Sequence, residues 1–155
     1  MIIRQGTIQD LDTLVDFNAA MAFETEGLIL DRERLRCGVK AVLSDPSRGF
    51  YWVAEVEGRV VGQMMITFEW SDWRNGTFWW IQSVYVSPEH RRRGVFRALY
   101  EHVEKQARDL PGVCGLRLYV EGGNAKAQRT YASLGMQRTS YQIFEKDFVL
   151  VRSAH

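Results

Sequence analysis

The chain has 155 residues, of which 46% are hydrophobic and 25% are charged, and its formal net charge is +1. This length fits the usual scale of about 100–200 residues per domain, so we expect a single domain over residues 1–155. The apolar content excludes a disordered chain, the balanced charge argues against a nucleic-acid-binding protein, and no apolar run is long enough to span a bilayer.

The secondary structure can be predicted from the spacing of apolar residues. Apolar residues at helical spacing indicate helices, and short apolar runs between turn residues indicate strands. In chain order, these patterns predict a strand at residues 2–4, a helix ending near residue 24, a second helix between Asp31 and Asp45, strands at 50–56, 60–69 and 77–86, a helix at 94–108, a strand at 116–120, a helix at 124–134 and a strand at 141–146.

The order of these elements predicts the fold class. Residues 77–120 form a strand-helix-strand unit, which is a right-handed crossover between parallel strands. The remaining strands follow one another through tight turns and should be antiparallel. We therefore expect an α/β domain with a mixed, mostly antiparallel sheet, a central parallel β-α-β unit and about four helices.

Residues 91–96 predict an anion-binding loop between a strand and a helix. The N–H groups at a helix N terminus lack partners, and the helix dipole makes that end positive. Gly94 lets the backbone approach a phosphate, and Arg91, Arg92 and Arg93 add charge-assisted hydrogen bonds. The Walker and GxGxxG patterns are absent. The alternative is a solvated basic loop that only starts a helix.

Two segments resemble the signature of the GNAT superfamily of N-acetyltransferases. The segment Arg91-x-x-Gly94-x-Phe96 is similar to the family pattern [QR]-x-x-G-x-[GA], with Phe96 in place of a small residue. The side chain of Phe96 must then point away from the phosphate. A later segment is similar to the family pattern N-x-x-A-x-x-x-Y-x-x-x-G, and its matching residues are Asn124, Ala127, Tyr131 and Gly135.

The resemblance implies that the chain uses acetyl-CoA. In the family the strands at 77–86 and 116–120 splay apart, and the pantetheine arm lies in the gap with its amides against the backbone of the first strand. The implied cofactor contacts come from Val84, Tyr85, Val86, Arg91, Arg92, Arg93, Gly94, Val95, Phe96, Arg97, Asn124, Ala127 and Tyr131. The implied reaction is direct attack of a primary amine on the acetyl group in a ternary complex.

The catalytic roles follow from the needs of acyl transfer. The resemblance places Tyr131 as the proton donor to the departing thiolate, and a phenol is neutral at working pH. The backbone N–H of Val84 or Tyr85 is the candidate oxyanion donor. The fourth strand carries no acid, so Glu69 is the candidate base, with Asp72 or a water chain as alternatives.

The acceptor site is implied near residues 21–31 and 70–78, where carboxylates and tryptophans can attract a cationic amine. The candidate contacts are Glu24, Glu26, Trp70 and Asp72. The bulky loop WSDWRNG favours a small-molecule amine. The alternatives are a protein or peptide N-acetyltransferase and a non-catalytic sensor of acyl-CoA.

The remaining features predict no metal and a cytoplasmic protein. The three histidines form no metal-binding spacing. Cys37 and Cys114 form no CxxC pair, and the first residues lack the apolar core of a signal peptide, so we expect reduced thiols in the cytoplasm. A homodimer is expected by analogy with the family, and we expect neither a nucleic-acid nor a membrane partner.

Overall fold

A computed structural model describes residues 1–150 of the chain. Residues Met1–Tyr119 form one compact unit, and the described residues from 120 to 150 belong to a second. The elements in chain order are β1 (Ile2–Gln5), a 3-10 turn (Ile8–Asp10), α1 (Leu11–Glu26), α2 (Arg32–Ser44), β2 (Phe50–Val56), β3 (Arg59–Ser71), β4 (Gly76–Val86), a second 3-10 turn (Pro88–His90), α3 (Val95–Asp109), β5 (Val113–Leu118) and α4 (Ala125–Ser133). A single domain over residues 1–155 stays a prediction, since it includes residues outside the described part.

The five strands form one sheet in the order β1-β2-β3-β4-β5. Strands β1 to β4 pair with one another in antiparallel orientation, and β5 pairs with β4 in parallel. The predicted fold class is therefore confirmed, including the parallel unit that α3 connects. Within residues 1–150, every helix is too short or too polar to cross a bilayer.

Local signals explain where the first two helices begin and end. The Asp31 side chain accepts hydrogen bonds from the N–H groups of Glu33 and Arg34, at 3.0 and 3.2 Å, and so caps α2 as predicted. Helix α1 runs two residues beyond the predicted end and stops at Gly27, whose φ of 62° is left-handed.

Two predicted boundaries and one predicted strand were wrong. The β3–β4 hairpin continues through Ser71 and Gly76, so the predicted loop at 70–76 shrinks to a four-residue turn. Strand β5 is Val113–Leu118 rather than 116–120, because its pairing with β4 begins where Thr77 meets Val113. The structure has no strand at 141–146. Without a neighbouring strand, the alternating apolar residues of that segment cannot form a ladder, and Phe144 is 95% exposed.

Helices cover both faces of the sheet. Tyr51 and Val53 of β2 pack in a buried cluster with Leu14 of α1, and Trp52 between them contacts His102 of α3. Side chains alternate between the faces of a strand, so α1 and α3 lie on opposite sides. Leu14 is fully buried, which stabilises the fold by about 1.5–3 kcal/mol.

Helix α3 lies close to the sheet because β3 has a glycine beneath it. A Cβ at Gly62 would lie 2.8 Å from Val95 Cγ1 and 3.4 Å from Leu99 Cδ1. Any side chain at this position would push the first turn of α3 outward, so Gly62 sets how closely the start of α3 approaches the sheet.

A buried carboxylate ties the first strand to the start of α1. Asp10 is 7% exposed and accepts two hydrogen bonds from the Arg4 guanidinium, both at 2.9 Å, and one from Thr7 N–H at 2.8 Å. Arg4 also donates to Glu55 of β2 at 2.6 Å. The Arg4 guanidinium lowers the pKa of Asp10 below its ordinary value of 3.8.

We expect Asp10→Asn to reduce the free energy of unfolding by about 1–3 kcal/mol at neutral pH, because Arg4 loses the more buried of its two carboxylate partners. The pKa of Asp10 is lowered in the folded state. Its contribution is therefore present above pH 3.8 and is lost as the pH falls through the folded pKa. Urea unfolding from pH 7 to pH 3 measures both effects. Asp12→Asn, which removes the exposed partner of Arg36, is the control; equal losses in the two variants would contradict this account.

Candidate active site

Strand β4 contains a bulge at Ser83 and Val84. Gln63 of β3 pairs with Tyr85 and Met65 pairs with Gln82, so β4 has two residues opposite one residue of β3. Ser83 has φ 50°, a left-handed conformation that is rare for a residue with a side chain. A bulge leaves backbone groups outside the regular ladder and redirects them. This is the segment in which the sequence predicts the oxyanion donor.

A buried side chain holds the bulge in place. Gln63 is fully buried, and its Nε2 donates to the Ser83 carbonyl at 2.9 Å. Its Oε1 is buried and has no hydrogen-bond partner. Nearby, Asn18 Nδ2 donates to the Tyr51 hydroxyl at 3.3 Å, and burial raises the pKa of that phenol. The left-handed Ser83 is thus supported by a hydrogen bond inside the core.

The bulge lies where β4 and β5 part. The parallel pairing ends at Ile81 and Leu118, and β4 continues to Val86. Over those last residues β4 keeps β3 as a neighbour, while the pairing with β5 has already ended. Beyond Ile81 the backbone of β4 on the side towards β5 lies outside the ladder, so an extended ligand could pair with it there, although the Val86 carbonyl already accepts from Arg91. The family resemblance implies that the pantetheine arm lies at this edge.

Helix α3 begins directly after the basic loop. Arg92 and Gly94 have φ values of 64° and 78°, and Gly94 is the residue at which the helix starts. No side chain caps this end, so the first-turn N–H groups of α3 are directed out of its N terminus. The helix dipole adds positive potential at the same point. This geometry suits a phosphate.

Phe96, the residue that departs from the family pattern, has its ring beside Tyr100 one turn further along α3, with 6.2 Å between ring centroids. The interpretation of the loop requires a ring that points away from the phosphate. A ring that packs along the helix leaves the N terminus of α3 to the backbone.

Two residues that the sequence assigns to different ligands contact each other. Arg91 Nη2 lies 2.8 Å from Glu24 Oε2, and Arg91 Nε donates to the Val86 carbonyl at 2.9 Å. The Tyr85 hydroxyl donates to the other Glu24 oxygen at 3.0 Å. The hydrogen bond from Arg91 lowers the pKa of Glu24, whereas burial and then Glu24 raise the pKa of Tyr85.

The predicted base, Glu69, also forms an ion pair. It contacts Arg117 of β5, whose guanidinium lies 3.7 Å from the centroid of the Phe78 ring. Glu69 as the base stays a prediction.

The other predicted acceptor contacts lie at the hairpin end and in α1. Trp70 is 62% exposed near the end of β3, and Asp72 is exposed in the turn, where it accepts from Trp73 N–H at 2.9 Å. Glu26 lies in the last turn of α1. Closer to the bulge, Gln82 Nε2 donates to Thr67 Oγ1 at 2.5 Å.

The second compact unit contains α4, and its motif residues shape the helix itself. The Asn124 side chain accepts from Ala127 N–H at 3.0 Å and caps the helix. Gly135, with φ 88°, ends it: Gly135 N–H donates to the Ala132 carbonyl and Met136 N–H to that of Tyr131. Burial raises the pKa of the Tyr131 phenol, which is therefore protonated at neutral pH.

Gln63 was not among the site residues predicted from the sequence. The available signal was a polar residue in the middle of the apolar run Val60–Ile66. Within residues 1–150, no group of three or more His, Cys, Asp or Glu side chains is arranged to hold a metal ion.

Residues 11–136 match the model of the acetyltransferase (GNAT) family. The chain belongs to this family. It is 33% identical over 102 residues to the thialysine N-epsilon-acetyltransferase of Bos taurus, a match that covers 65% of this chain. The match covers 55% of the bovine enzyme, so it spans little more than half of that protein. GNAT acetyltransferases use acetyl-CoA as the acetyl donor.

Solved structures agree with this assignment. A possible acetyltransferase from Clostridium difficile 630 is 46% identical, with a TM-score of 0.89 and coverage of 96% of this chain and 98% of that one. A predicted acetyltransferase with acetyl-CoA from Clostridium acetobutylicum is 16% identical, with a TM-score of 0.76 and coverage of 94% and 95%. At that identity the second neighbour shows the fold alone.

We expect Gln63→Leu to lower kcat for acetyl transfer by about 10-fold or more, because the bulge loses the donor that fixes Ser83. Complete removal of an oxyanion donor costs about 10²–10³-fold. The free energy of unfolding should fall by about 1–3 kcal/mol, because the Ser83 carbonyl is left without its donor, and the loss of the unsatisfied Oε1 offsets only part of this. Steady-state kinetics and thermal unfolding measure the two effects. Met64→Leu, a volume-conserving change at the adjacent buried position, is the control; an unchanged kcat in Gln63→Leu would contradict this role.

Proposed function

We propose that this chain transfers an acetyl group from acetyl-CoA to the primary amine of a small molecule. The observation that carries the proposal is the arrangement along β4. A bulge at Ser83 and Val84, an edge that β5 has left, and the uncapped start of α3 follow one another in the chain. They match, in order, the reacting carbonyl, the pantetheine arm and the pyrophosphate of acetyl-CoA.

The cofactor contacts of the proposal use mainly backbone groups. The pantetheine amides pair with the edge of β4 at Val84–Val86. The pyrophosphate accepts hydrogen bonds from the first-turn amides of α3, at residues 95–97, with Gly94 allowing the close approach. The side chains of Arg92 and Arg93 are exposed beside this point and add charge.

The proposed reaction begins when the lone pair of a neutral amine forms a bond to the thioester carbonyl carbon. The carbonyl oxygen becomes an oxyanion and accepts a hydrogen bond from the Val84 N–H. The carbon–sulfur bond then breaks and the thiolate takes the Tyr131 proton. The amine nitrogen loses one proton, to Glu69 or to water, and the products are an N-acetyl amide and free coenzyme A. Tyr131 regains its proton from solvent.

The charges of the first unit favour an acceptor with one amine rather than a polycation. Glu24 and Glu69, the carboxylates predicted to attract or deprotonate an amine, each carry an arginine partner. The aromatic pair Trp80 and Tyr119, with ring centroids 4.6 Å apart, offers an apolar surface next to Gln82. The bovine relative is a thialysine N-epsilon-acetyltransferase, which supports a small primary amine as the acceptor. A homodimer in the cytoplasm stays a prediction.

The test of this function is a screen of primary amines with acetyl-CoA, read by release of free thiol. We expect turnover with small molecules that carry a single primary amine, including thialysine and lysine, and much lower turnover with polyamines. Peptides with free N termini are the comparison class. Turnover on peptides alone would establish a peptide N-acetyltransferase, and tight acetyl-CoA binding without turnover would establish a sensor.

We expect Tyr131→Phe to lower kcat by about 10²-fold, within the range of general acid catalysis, while the dissociation constant for acetyl-CoA changes little. The phenol is needed only when the thiolate departs, so the loss falls on turnover. Single-turnover kinetics and calorimetric titration separate the two effects. Tyr141→Phe, at an exposed position, is the control. An unchanged rate in Tyr131→Phe would remove this residue from the mechanism.

A further inference from the structure

Arg91 uses its guanidinium for contacts within the protein. Nη2 is 2.8 Å from Glu24 Oε2, Nε donates to the Val86 carbonyl at 2.9 Å, and Cζ lies 5.2 Å from the centroid of the Tyr85 ring. The three contacts come from α1 and from the last residues of β4. Together they fix the orientation of the guanidinium.

Glu24 is engaged on both carboxylate oxygens. Oε1 accepts from the Tyr85 hydroxyl and Oε2 from Arg91. Tyr85 is itself held by the ring of Phe17 of α1, with centroids 5.0 Å apart. The last turns of α1 are therefore joined to β4 and to the first residue of the basic loop.

The neighbouring arginines differ from Arg91. Arg92 and Arg93 are exposed, and neither forms an ion pair within residues 1–150. The basic loop thus contains one arginine that the protein itself neutralises and two whose charge is available to an anion.

We propose that Arg91 is a positioning residue and not a phosphate ligand. Glu24 holds it as a strut between the end of α1 and the start of the loop that leads into α3. The strut keeps that loop in the conformation that leaves the α3 N terminus open and presents Arg92 and Arg93 to the pyrophosphate, while packing on β3 positions the helix itself. The inference rests on the proposed function, since it assigns roles around the same cofactor.

The two roles for Arg91 predict opposite effects of removing the Glu24 charge. If Arg91 binds phosphate, Glu24→Gln frees the guanidinium, removes a nearby negative charge and tightens acetyl-CoA binding. If Arg91 is a strut, Glu24→Gln loosens the loop and weakens binding. The glutamine also offers one acceptor oxygen where the glutamate offers two, so it cannot serve Tyr85 and Arg91 equally.

The expected change is modest because both side chains are partly exposed, at 44% for Arg91 and 39% for Glu24. Exposed ion pairs have small coupling energies, which correspond to about a two- to five-fold change in an equilibrium constant. Calorimetric titration of the full chain with acetyl-CoA resolves a change of this size.

The experiment is a double-mutant cycle with Glu24→Gln, Arg91→Met and the combined variant, measured by acetyl-CoA affinity. We expect each single variant to weaken binding by about two- to five-fold and the combined variant to be no weaker than Arg91→Met. Glu104→Gln is the control, since it breaks an exposed ion pair with Arg108 along α3. Tighter binding by Glu24→Gln, or a double variant equal to the product of the two losses, overturns the inference.

A truncated donor provides a second readout that general destabilisation would not reproduce. Acetyl-pantetheine lacks the pyrophosphate, so in both single variants the fall in kcat/KM should be smaller with this donor than with acetyl-CoA. An equal fall in kcat/KM with both donors overturns the positioning role of Arg91. Absence of acetyl-CoA binding by the wild-type chain overturns the proposed function and the inference with it, whereas tighter binding by Glu24→Gln overturns the inference alone.

Discussion

The hydrogen bond from Gln63 to the Ser83 carbonyl is the interaction on which the candidate site depends. It lies in the core, at a point where β4 has one residue more than β3. A left-handed residue with a side chain costs about 1–3 kcal/mol and persists only when its surroundings hold it. Here Ser83 is held by the fully buried Gln63 amide and by the β3–β4 pairing before and after the bulge. The parting of β4 from β5 begins next to this bulge, so the edge proposed for the cofactor and the proposed oxyanion donor share one structural origin.

Several carboxylates of the first unit, including two of the four predicted at the site, are already paired with arginines. Glu24 and Glu69 are each paired with an arginine, and Asp10 is paired with Arg4. Within the described residues, the unpaired positive charge just before the start of α3 comes from the exposed Arg92 and Arg93. A chain with a net charge of +1 can therefore concentrate a local positive potential where its helix dipole also points. Local pairing, rather than overall composition, determines the electrostatic character of the candidate site.

The sequence predicted the order of the elements as far as α4, the parallel unit and the start of a helix after the basic loop, because these follow from local signals. The Asp31 cap and the start of α3 near Gly94 are examples. The ends of β5 were predicted poorly, since a strand extends as far as its partner allows. The segment 141–146 is the opposite case. Its apolar residues alternate as in a strand, but no strand within residues 1–150 pairs with them, so no strand forms. The Arg91–Glu24 pair joins residues 67 positions apart, and no local pattern could indicate it.

Gly62, by fixing where α3 begins, determines how far the basic loop before the helix can change. The first turn of α3 rests on β3 through Val95 and Leu99, which approach the strand because position 62 has no side chain. Packing of α3 on β3 therefore fixes the position of the helix N terminus, and the conformation of the preceding loop does not. A change in the length or charge of that loop would therefore leave the helix end in the same place, as long as position 62 remains a glycine.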